Sequence, residues 1–119
     1  MAFAATPGDL PRILEFLKAT SGRELDRDLL RRQLFEESPL TFLHLTQDDQ
    51  GAVVGCAFWF VRPSTWRGTS HIYVDDILLK PSPHAAQHEL DLILDLERIA
   101  ANRGYGPVRG RFDAGARTL

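Results

Sequence analysis

Polar side chains that could move a proton alternate along one short segment, SHIYVDDILL, which begins at Ser70. Alternate residues of a strand face the same side, so His71, Tyr73 and Asp75 are predicted to share a face with Ile77. A carboxylate such as Asp75 can take a proton from an ammonium group when its pKa is shifted or when water relays the proton. The alternative is a strand face that only forms hydrogen bonds or meets solvent.

A second polar cluster follows in KPSPHAAQHELDL, where a predicted turn leads into a predicted helix without any glycine. The free N–H groups at a helix start attract anions. His84 and His88 are four residues apart, a spacing that can place two imidazoles on one helix face for a metal. The HExxH arrangement is absent and no third ligand is near, so we expect no metal site. Glu89 is predicted in the first turn, where an acid interacts favourably with the helix dipole by ~0.3–1 kcal/mol.

Other polar or reactive side chains near these segments have mainly structural interpretations. Asp76 is predicted on the opposite strand face, with a structural hydrogen bond or charge pair, because an unpaired carboxylate is costly to bury. Cys56 is the only cysteine, so no intrachain disulfide is possible, and its apolar surroundings predict burial. Trp59 is predicted in the core. Trp66, beside Arg67, either lines a substrate pocket or protein interface, or packs over the sheet edge.

Composition restricts the class of protein. The 119 residues are predicted to form one domain, 1–119, with 44% hydrophobic and 25% charged residues, as in ordinary globular proteins. The net charge of −2 argues against a general nucleic-acid binder. No apolar run approaches ~18 residues and the N-terminus lacks a signal-peptide pattern, so we expect a cytoplasmic protein without membrane contact.

Hydrophobic periodicity and turn residues predict eight elements. The predicted strands are 2–5, 40–47, 52–61, 70–79 and 106–113, and the predicted helices are 6–19, 24–37 and 84–103. The strand at 52–61 is apolar on both faces, which is typical of a central strand that is covered on both sides. The order β-α-α-β-β-β-α-β predicts an α+β layered fold, with an antiparallel hairpin followed by a β-α-β unit.

This order, with the residues in it, resembles the Gcn5-related N-acetyltransferase (GNAT) superfamily. ATPGDLPRILEFL is similar to the family's opening strand and first helix, and GAVVGCAFWFVRPSTWRG to its third strand and following loop. IYVDDILLKP resembles the fourth strand of the diamine acetyltransferase branch, whose pattern is Tyr-Leu-Glu-Asp-Leu. ERIAANRGY is similar to the end of the main cofactor helix. The resemblance covers about residues 2–113.

The resemblance implies the acyl-CoA N-acyltransferase fold, a mixed sheet with helices on both faces, with acetyl-CoA in a gap beside the fourth strand. It assigns cofactor contacts to the backbone of Ile77, Leu78, Leu79 and Lys80. The pyrophosphate loop, of pattern Arg/Gln-x-x-Gly-x-Gly/Ala, falls on His84, Ala85, Ala86, Gln87, His88 and Glu89. Asp75 aligns with a Glu that relays the amine's proton, with Tyr73 beside it. Apart from the resemblance, Trp66 on its loop and His71 on the face of Asp75 are the candidate substrate-binding residues.

Two departures from the family pattern decide the functional prediction. Gln87 and Glu89 replace the small residues that let phosphates approach the backbone, and Glu89 adds a negative charge. This loop either binds the cofactor weakly or caps its own helix without a phosphate site, and we favour the second interpretation. The sequence also ends at Leu119, after about the fifth strand, and no Tyr follows Tyr105 to act as the family's general acid.

The sequence therefore predicts a degenerate GNAT-like domain that is non-catalytic or regulatory, acting through protein contacts or a small ligand in the former cofactor cleft. No cofactor is expected in that case. The alternative is an acetyl-CoA-dependent N-acetyltransferase of a small amine with an atypical cofactor loop. The exposed edge of the last strand favours pairing with another chain, so we expect a homodimer.

Overall fold

Five strands and three helices form the part of the chain that the computed structural model describes, residues 2–64, 66 and 68–110. The strands are β1 (Ala2–Ala4), β2 (Phe42–Gln47), β3 (Val53–Ser64), β4 (Thr69–Leu79) and β5 (Arg109–Gly110). The helices are α1 (Leu10–Ser21), α2 (Arg27–Phe35) and α3 (Ala85–Asn102), with a 3₁₀ turn at Pro7–Asp9 before α1. The predicted element order is confirmed. Residues 111–113 of the last predicted strand lie outside the described residues.

The strands form one mixed sheet in the order β1-β2-β3-β4-β5. Neighbouring strands are antiparallel except β4 and β5, which are parallel and are connected by α3. A parallel pair needs such a crossover, whereas the antiparallel pairs need only turns. The predicted antiparallel hairpin and β-α-β unit are therefore both present.

Each face of the sheet is covered by helix. One core cluster joins the sheet to α1 and α2, and a second joins it to α3. Successive residues of β3 alternate between them, with Cys56 in the first cluster and Ala57 and Trp59 in the second. This alternation explains why β3 is apolar on both faces, as the sequence predicts for a central strand. Among the described helices, none has the length and apolar content needed to cross a membrane.

The ends of α1 and α2 follow from local chemistry. The Asp9 carboxylate accepts from the Thr6 amide at 2.8 Å, within a capping box. Gly22 ends α1 with φ 74°, a left-handed conformation that glycine adopts without a steric cost. The Asp26 side chain caps α2 by accepting from two amides of its first turn. Because Asp26 is the cap, α2 begins three residues after its predicted start at 24.

A buried polar network ties α3 to β2 and β3. His44 on β2 is 1% exposed, and its Nε2 lies 2.8 Å from Oδ2 of Asp95 on α3. The indole Nε1–H of Trp59 on β3 donates to His44 Nδ1 at 3.2 Å. An indole nitrogen can only donate, so Nδ1 must be the acceptor and Nε2 must carry the imidazole proton. Arg98 holds the other oxygen of Asp95, at 2.9 Å.

This network keeps His44 neutral. Burial lowers the pKa of His44, against the opposing effect of the Asp95 carboxylate. A second proton on the ring would also place Nδ1–H against the Trp59 N–H. Because the folded pKa is below the unfolded value, the unfolded chain takes up the proton first as the pH falls. Folding stability contributed by neutral His44 is thus complete above about pH 6.5 and declines below it.

We predict that the free energy of unfolding, measured by urea denaturation between pH 7.5 and about 5, declines below about pH 6.5 with a component from His44 of at most ~1.4 kcal/mol per pH unit. His44→Gln, whose amide does not titrate, should reduce that slope. His84→Gln is the matched control, because His84 is exposed at the surface. Equal slopes for wild type and His44→Gln would contradict the assignment.

Candidate functional site

β4 contains one extra residue, Asp75. Val74 pairs with Trp59 of β3 and Asp76 pairs with the adjacent Phe58, which leaves Asp75 without a register partner. Such a bulge bends the strand and redirects the side chains that follow it, and bulges are common next to active sites. The Asp75 side chain is exposed. The candidate proton relay therefore lies at the one irregular position of this strand.

The bulge corrects the predicted faces of β4. Ile77 packs with Ile72 and Val74 in the α3-side cluster, so the prediction that it shares a face with Tyr73 is wrong. Asp76, predicted on the opposite face, pairs with Phe58, which packs toward α1 and α2. A period of two cannot hold across an extra residue, so every side chain after Asp75 changes face.

The end of β4 offers an unpaired backbone edge. Pairing with β5 stops at Val74, and within the described residues no strand pairs with the outer edge beyond it. On the inner edge, the Lys80 amide donates to Val54 at 2.8 Å. Backbone groups of an antiparallel strand alternate in direction, so the N–H and C=O groups of Ile77 and Leu79 point away from β3. The outward backbone groups of Ile77 and Leu79 can form hydrogen bonds with an extended ligand. The alternate backbone groups, those of Leu78 and the Lys80 amide, point toward β3.

Gly55 of β3 allows close packing behind this edge. A Cβ atom at Gly55 would meet Leu79 Cδ2 at 2.8 Å and Thr46 Cγ2 at 3.0 Å. Real Cβ atoms do not come so close, so a larger residue would make the Leu79 and Thr46 side chains shift, whereas the nearest backbone atom, Leu78 O, would be in ordinary contact at 3.5 Å. Glycine at this position thus leaves room for the side chain of Leu79.

α3 begins without the acidic first turn that the sequence predicts. The helix starts at Ala85 with His84 as N-cap, and His84 makes no side-chain capping hydrogen bond. The turn before it is closed by hydrogen bonds from the His84 and Ala85 amides to Ser82, at 3.1 and 3.2 Å. Glu89 is consequently the fifth helical residue, and the prediction that it caps the first turn electrostatically is wrong. The Ala85 amide is thus already bonded, and the amides of Ala86 and Gln87 are the first-turn groups that a helix start leaves for an anion.

The side chains around this helix start are polar and mostly exposed. Gln87 donates to Asp91 at 3.0 Å, one turn along the same helix. The His84 and His88 rings lie 6.3 Å apart, and His88 Nδ1 is buried without a hydrogen-bond partner in the described structure. Across the residues that the structure describes, no group of three or more acidic, His or Cys side chains is placed to hold a metal. Lys80 lies just before this turn and is exposed.

The carboxylate of Asp48 lies near positive charge at the end of β4. Hydrogen bonds from the Ala52 and Gln50 amides hold the pKa of Asp48 below its usual value, and Lys80 and His88 lower it further. Asp48 lies in the β2–β3 turn. The β2–β3 turn is therefore close enough to the end of β4 for Lys80 to act on this carboxylate.

An open groove of about 680 Å³ lies on the α1 side of this region. α1 contributes Phe16 to its apolar lining, and the sheet contributes Val53 and Leu79. Arg12 and Lys80 add two positive side chains to the lining and Glu15 adds one negative side chain. The groove is large enough for part of a small organic ligand.

The remaining predicted residues lie toward the other end of β4. Trp66, in the turn between β3 and β4, is 95% exposed, so the interpretation of a ring packed over the sheet edge is wrong. Its neighbour Arg67 lies outside the described residues. His71 pairs with Arg62 of β3, and Tyr73 pairs with Phe60. The structure thus separates the predicted substrate residues from the helix start by most of the length of β4.

Two features were missed by the sequence interpretation. One is the His44 network, for which the signals were a histidine inside an apolar strand and Asp95 between inward-facing leucines of α3. The other is the guanidinium of Arg62, whose Cζ lies 4.0 Å from the centroid of the Tyr73 ring. The contact between Arg62 and Tyr73 depends on the β3–β4 register, in which Arg62 pairs with His71 and Phe60 with Tyr73, so only the three-dimensional structure reveals it.

Comparison with solved structures identifies the fold. Ribosomal-protein-alanine N-acetyltransferase from Brucella melitensis biovar Abortus 2308 is 16% identical, with a TM-score of 0.76 over 92% of this chain and 78% of that one. An acetyltransferase from Trypanosoma brucei is 23% identical, with a TM-score of 0.65 over 92% and 80% of the two chains. The chain has the GNAT fold.

A third match supports the same fold. An aminoglycoside acetyltransferase from an uncultured soil metagenomic sample, solved with sisomicin, is 14% identical, with a TM-score of 0.74 over 93% of this chain and 76% of that one. No protein-family model matches this chain, and no curated protein matches it. The predicted acyl-CoA N-acyltransferase fold is confirmed, and at these identities the likeness concerns the fold alone.

Proposed function

We propose that this GNAT-fold domain is not an ordinary acetyltransferase, and that it acts through protein contacts or through a small ligand bound at the end of β4. The observation that carries the proposal is the helix start His84–Glu89, which has side chains where the family pattern has small residues. Gln87 and Glu89 would crowd a diphosphate, and Glu89 would repel it. On this proposal the domain needs no cofactor.

The open edge of β4 supports retention of a ligand site. The outward backbone groups of Ile77 and Leu79, the uncapped start of α3 and the positive charge of Lys80 suit a ligand with amide and anionic groups. The groove beside Leu79 and Lys80 adds an apolar surface. A ligand without a bulky diphosphate avoids the crowding at Gln87.

We predict that isothermal titration calorimetry of the wild-type protein shows no micromolar binding of acetyl-CoA. The double variant Gln87→Gly with Glu89→Gly should bind CoA at least tenfold more tightly than wild type, because relieving crowding and removing a charge should together be worth about 1.4 kcal/mol or more. Gln87→Ala with Glu89→Ala is the control, since it removes the same side chains without the cost of about 1 kcal/mol that each helical glycine carries.

Two calorimetric results would count against the proposal. Micromolar binding by the wild type that is lost on altering residues 84–89 would identify a working cofactor loop. No gain in either double variant would show that the cleft is closed for another reason than these two side chains.

The alternative function is acetyl-CoA-dependent acetylation of a small amine. Three observations favour it: the bulge at Asp75, the outward backbone groups that follow it, and the uncapped start of α3. In this case acetyl-CoA would lie along Ile77–Lys80, and Asp75 would relay the amine's proton through water, because an exposed carboxylate is a weak base for an ammonium. Tyr73 would assist from the same strand.

If acetyl transfer to a diamine is detected, Asp75→Asn should lower kcat by about 100-fold or more while the affinity for acetyl-CoA stays unchanged. Asp76→Asn is the matched control on the neighbouring residue, which the bulge places differently. Steady-state kinetics with calorimetry on both variants separates the two effects. An unchanged kcat in Asp75→Asn would remove Asp75 from the mechanism.

We also propose that the protein forms a homodimer through the β5 edge. Within the described residues no strand covers the outer side of β5, and an uncovered strand edge favours pairing with another chain. Sedimentation velocity over a dilution series that reaches tens of micromolar should show a dimer that dissociates on dilution. A single monomeric species throughout that series would contradict the proposal.

A further inference from the structure

An open groove between β1 and α3 lies beside the buried imidazole of His44. It has a volume of about 320 Å³ and is lined by Ala2, Asp91, Leu94, Asp95 and Arg98. Asp95 contacts both sides of this boundary, because its Oδ1 accepts from Arg98 and its Oδ2 lies 2.8 Å from His44 Nε2. The Asp95 carboxylate therefore lies between the groove and the buried ring.

A second proton on His44 would have no acceptor while the fold is closed. His44 Nδ1 accepts from the Trp59 indole N–H at 3.2 Å, and a proton on Nδ1 would set two donors against each other. Trp59 is held in place, because its ring is buried and stacks on Phe42 with centroids 4.6 Å apart. The backbone ladder that pairs His44 with Ala57 likewise keeps β2 and β3 together. The conflict can therefore be relieved only on the side of α3.

The charged groups that act on His44 belong to α3. Burial is the largest influence and lowers the pKa of His44, Asp95 raises it, and Arg98 lowers it further. From the sheet, the neighbours are Trp59 of β3 and Ala4 of β1, neither of which titrates. In the part of the chain that the structure describes, no backbone hydrogen bond joins α3 to a strand. Side-chain contacts alone hold α3 on the sheet, so α3 is the element that can move.

We propose that Asp95 and Arg98 form a pH-sensitive gate, which opens when His44 takes up a second proton and admits water from the groove to His44 and Trp59. Water can then accept from both N–H groups that conflict in the closed form. The pKa of a hydrated histidine is ~6.5. The open fraction thus rises as the pH falls below about 6.5, by at most about tenfold per pH unit, because one proton is taken up.

This opening is local and differs from the global unfolding considered above. The strands stay paired, and only α3 separates from the sheet at Asp95. None of the residues 84–89 takes part, so the gate does not depend on what the start of α3 binds. Its test needs no ligand, so its outcome is independent of the calorimetry with acetyl-CoA.

The test compares hydrogen exchange of the two indole N–H groups by NMR, on the whole protein between pH 7.5 and about 5. Trp66 is 95% exposed, so the ratio of its exchange rate to that of Trp59 removes the intrinsic pH dependence of indole exchange. This exchange ratio should fall about three- to tenfold per pH unit below about pH 6.5.

Urea separates the local opening from global unfolding. A local opening exposes little surface, so exchange through it hardly changes in sub-denaturing urea, whereas exchange through global unfolding accelerates. At pH 5.5 the Trp59 indole should show the first behaviour. The backbone amide of Ala57, a fully buried residue of the central strand β3, should show the second.

Two variants test the two parts of the gate. His44→Gln, whose amide does not titrate, should make the exchange ratio independent of pH below about 6.5. Arg98→Gln should lower the ratio at pH 7.5 by about two- to fivefold, the range expected for loss of an exposed ion pair. Arg31→Gln is the matched control, because Arg31 is exposed on α2, across the sheet, and should leave the ratio unchanged.

Where His44→Gln loses its folded amide spectrum, the imidazole ¹⁵N shifts of the wild-type protein replace it. The Nε2–H tautomer of His44 should give way to the doubly protonated ring over the pH range in which the exchange ratio falls. An exchange ratio that is constant with pH, or that falls equally in His44→Gln, would overturn the proposal. A Trp59 indole that follows the urea dependence of Ala57, or an unchanged ratio in Arg98→Gln, would overturn it as well.

Discussion

The extra residue in β4 is the constraint from which the rest of the candidate site follows. Asp75 lies between the residues that pair with Trp59 and Phe58 and has no partner of its own. Each later side chain of β4 therefore lies on the face opposite to the one that simple alternation predicts. Ile77 and Leu79 turn toward α3, and Asp76 turns toward α1 and α2. The parallel pairing with β5 ends at the residue before the bulge. In the part of the chain that the structure describes, the last third of β4 is therefore paired on its inner edge only, and its other backbone groups point outward.

The position of α3 relative to this edge depends on a polar contact inside the fold. His44 can accept from Trp59 and donate to Asp95 only as the neutral Nε2–H tautomer, so β2, β3 and α3 are joined by one fully satisfied imidazole. Arg98 completes the hydrogen bonding of Asp95 on the solvent side. Unlike apolar contacts, these bonds are directional, and they fix how far α3 can slide along the sheet. The helix start and the end of β4 are thereby kept adjacent.

The start of α3 and the end of β4 combine features that favour an anionic ligand with features that disfavour one. The uncapped first turn of α3, the positive charge of Lys80 and the outward groups of β4 favour an anionic or amide-bearing ligand. In the function that we propose, the side chains of Gln87 and Glu89 disfavour a diphosphate. A fold can retain the geometry of a site after the residues suited to one ligand have changed, because the geometry rests on the sheet register and the core rather than on the loop.

The sequence by itself determined the order and type of the elements, because burial on one or both faces imposes a period that is visible in the residues. The apolar run of β3 indicated its central place, and the residues around SHIYVDDILL and the following helix located the fold family. The sequence could not show the bulge at Asp75, since no local residue requires it and the extra position exists only relative to β3. For the same reason it misplaced Ile77 and Asp76.

The remaining features depended on contacts that the residue pattern does not display. Ser82 closes the turn before Ala85 through two local hydrogen bonds, and Glu89, the fifth residue of α3, lies beyond its first turn. His44, Asp95 and Trp59 are far apart in sequence, and their hydrogen bonds arise from packing α3 on the sheet. Arg62 meets Tyr73 only through the β3–β4 register. Local periodicity thus determined what each segment is, and tertiary register determined which side chains meet, because register joins residues whose separation along the chain carries no local signal.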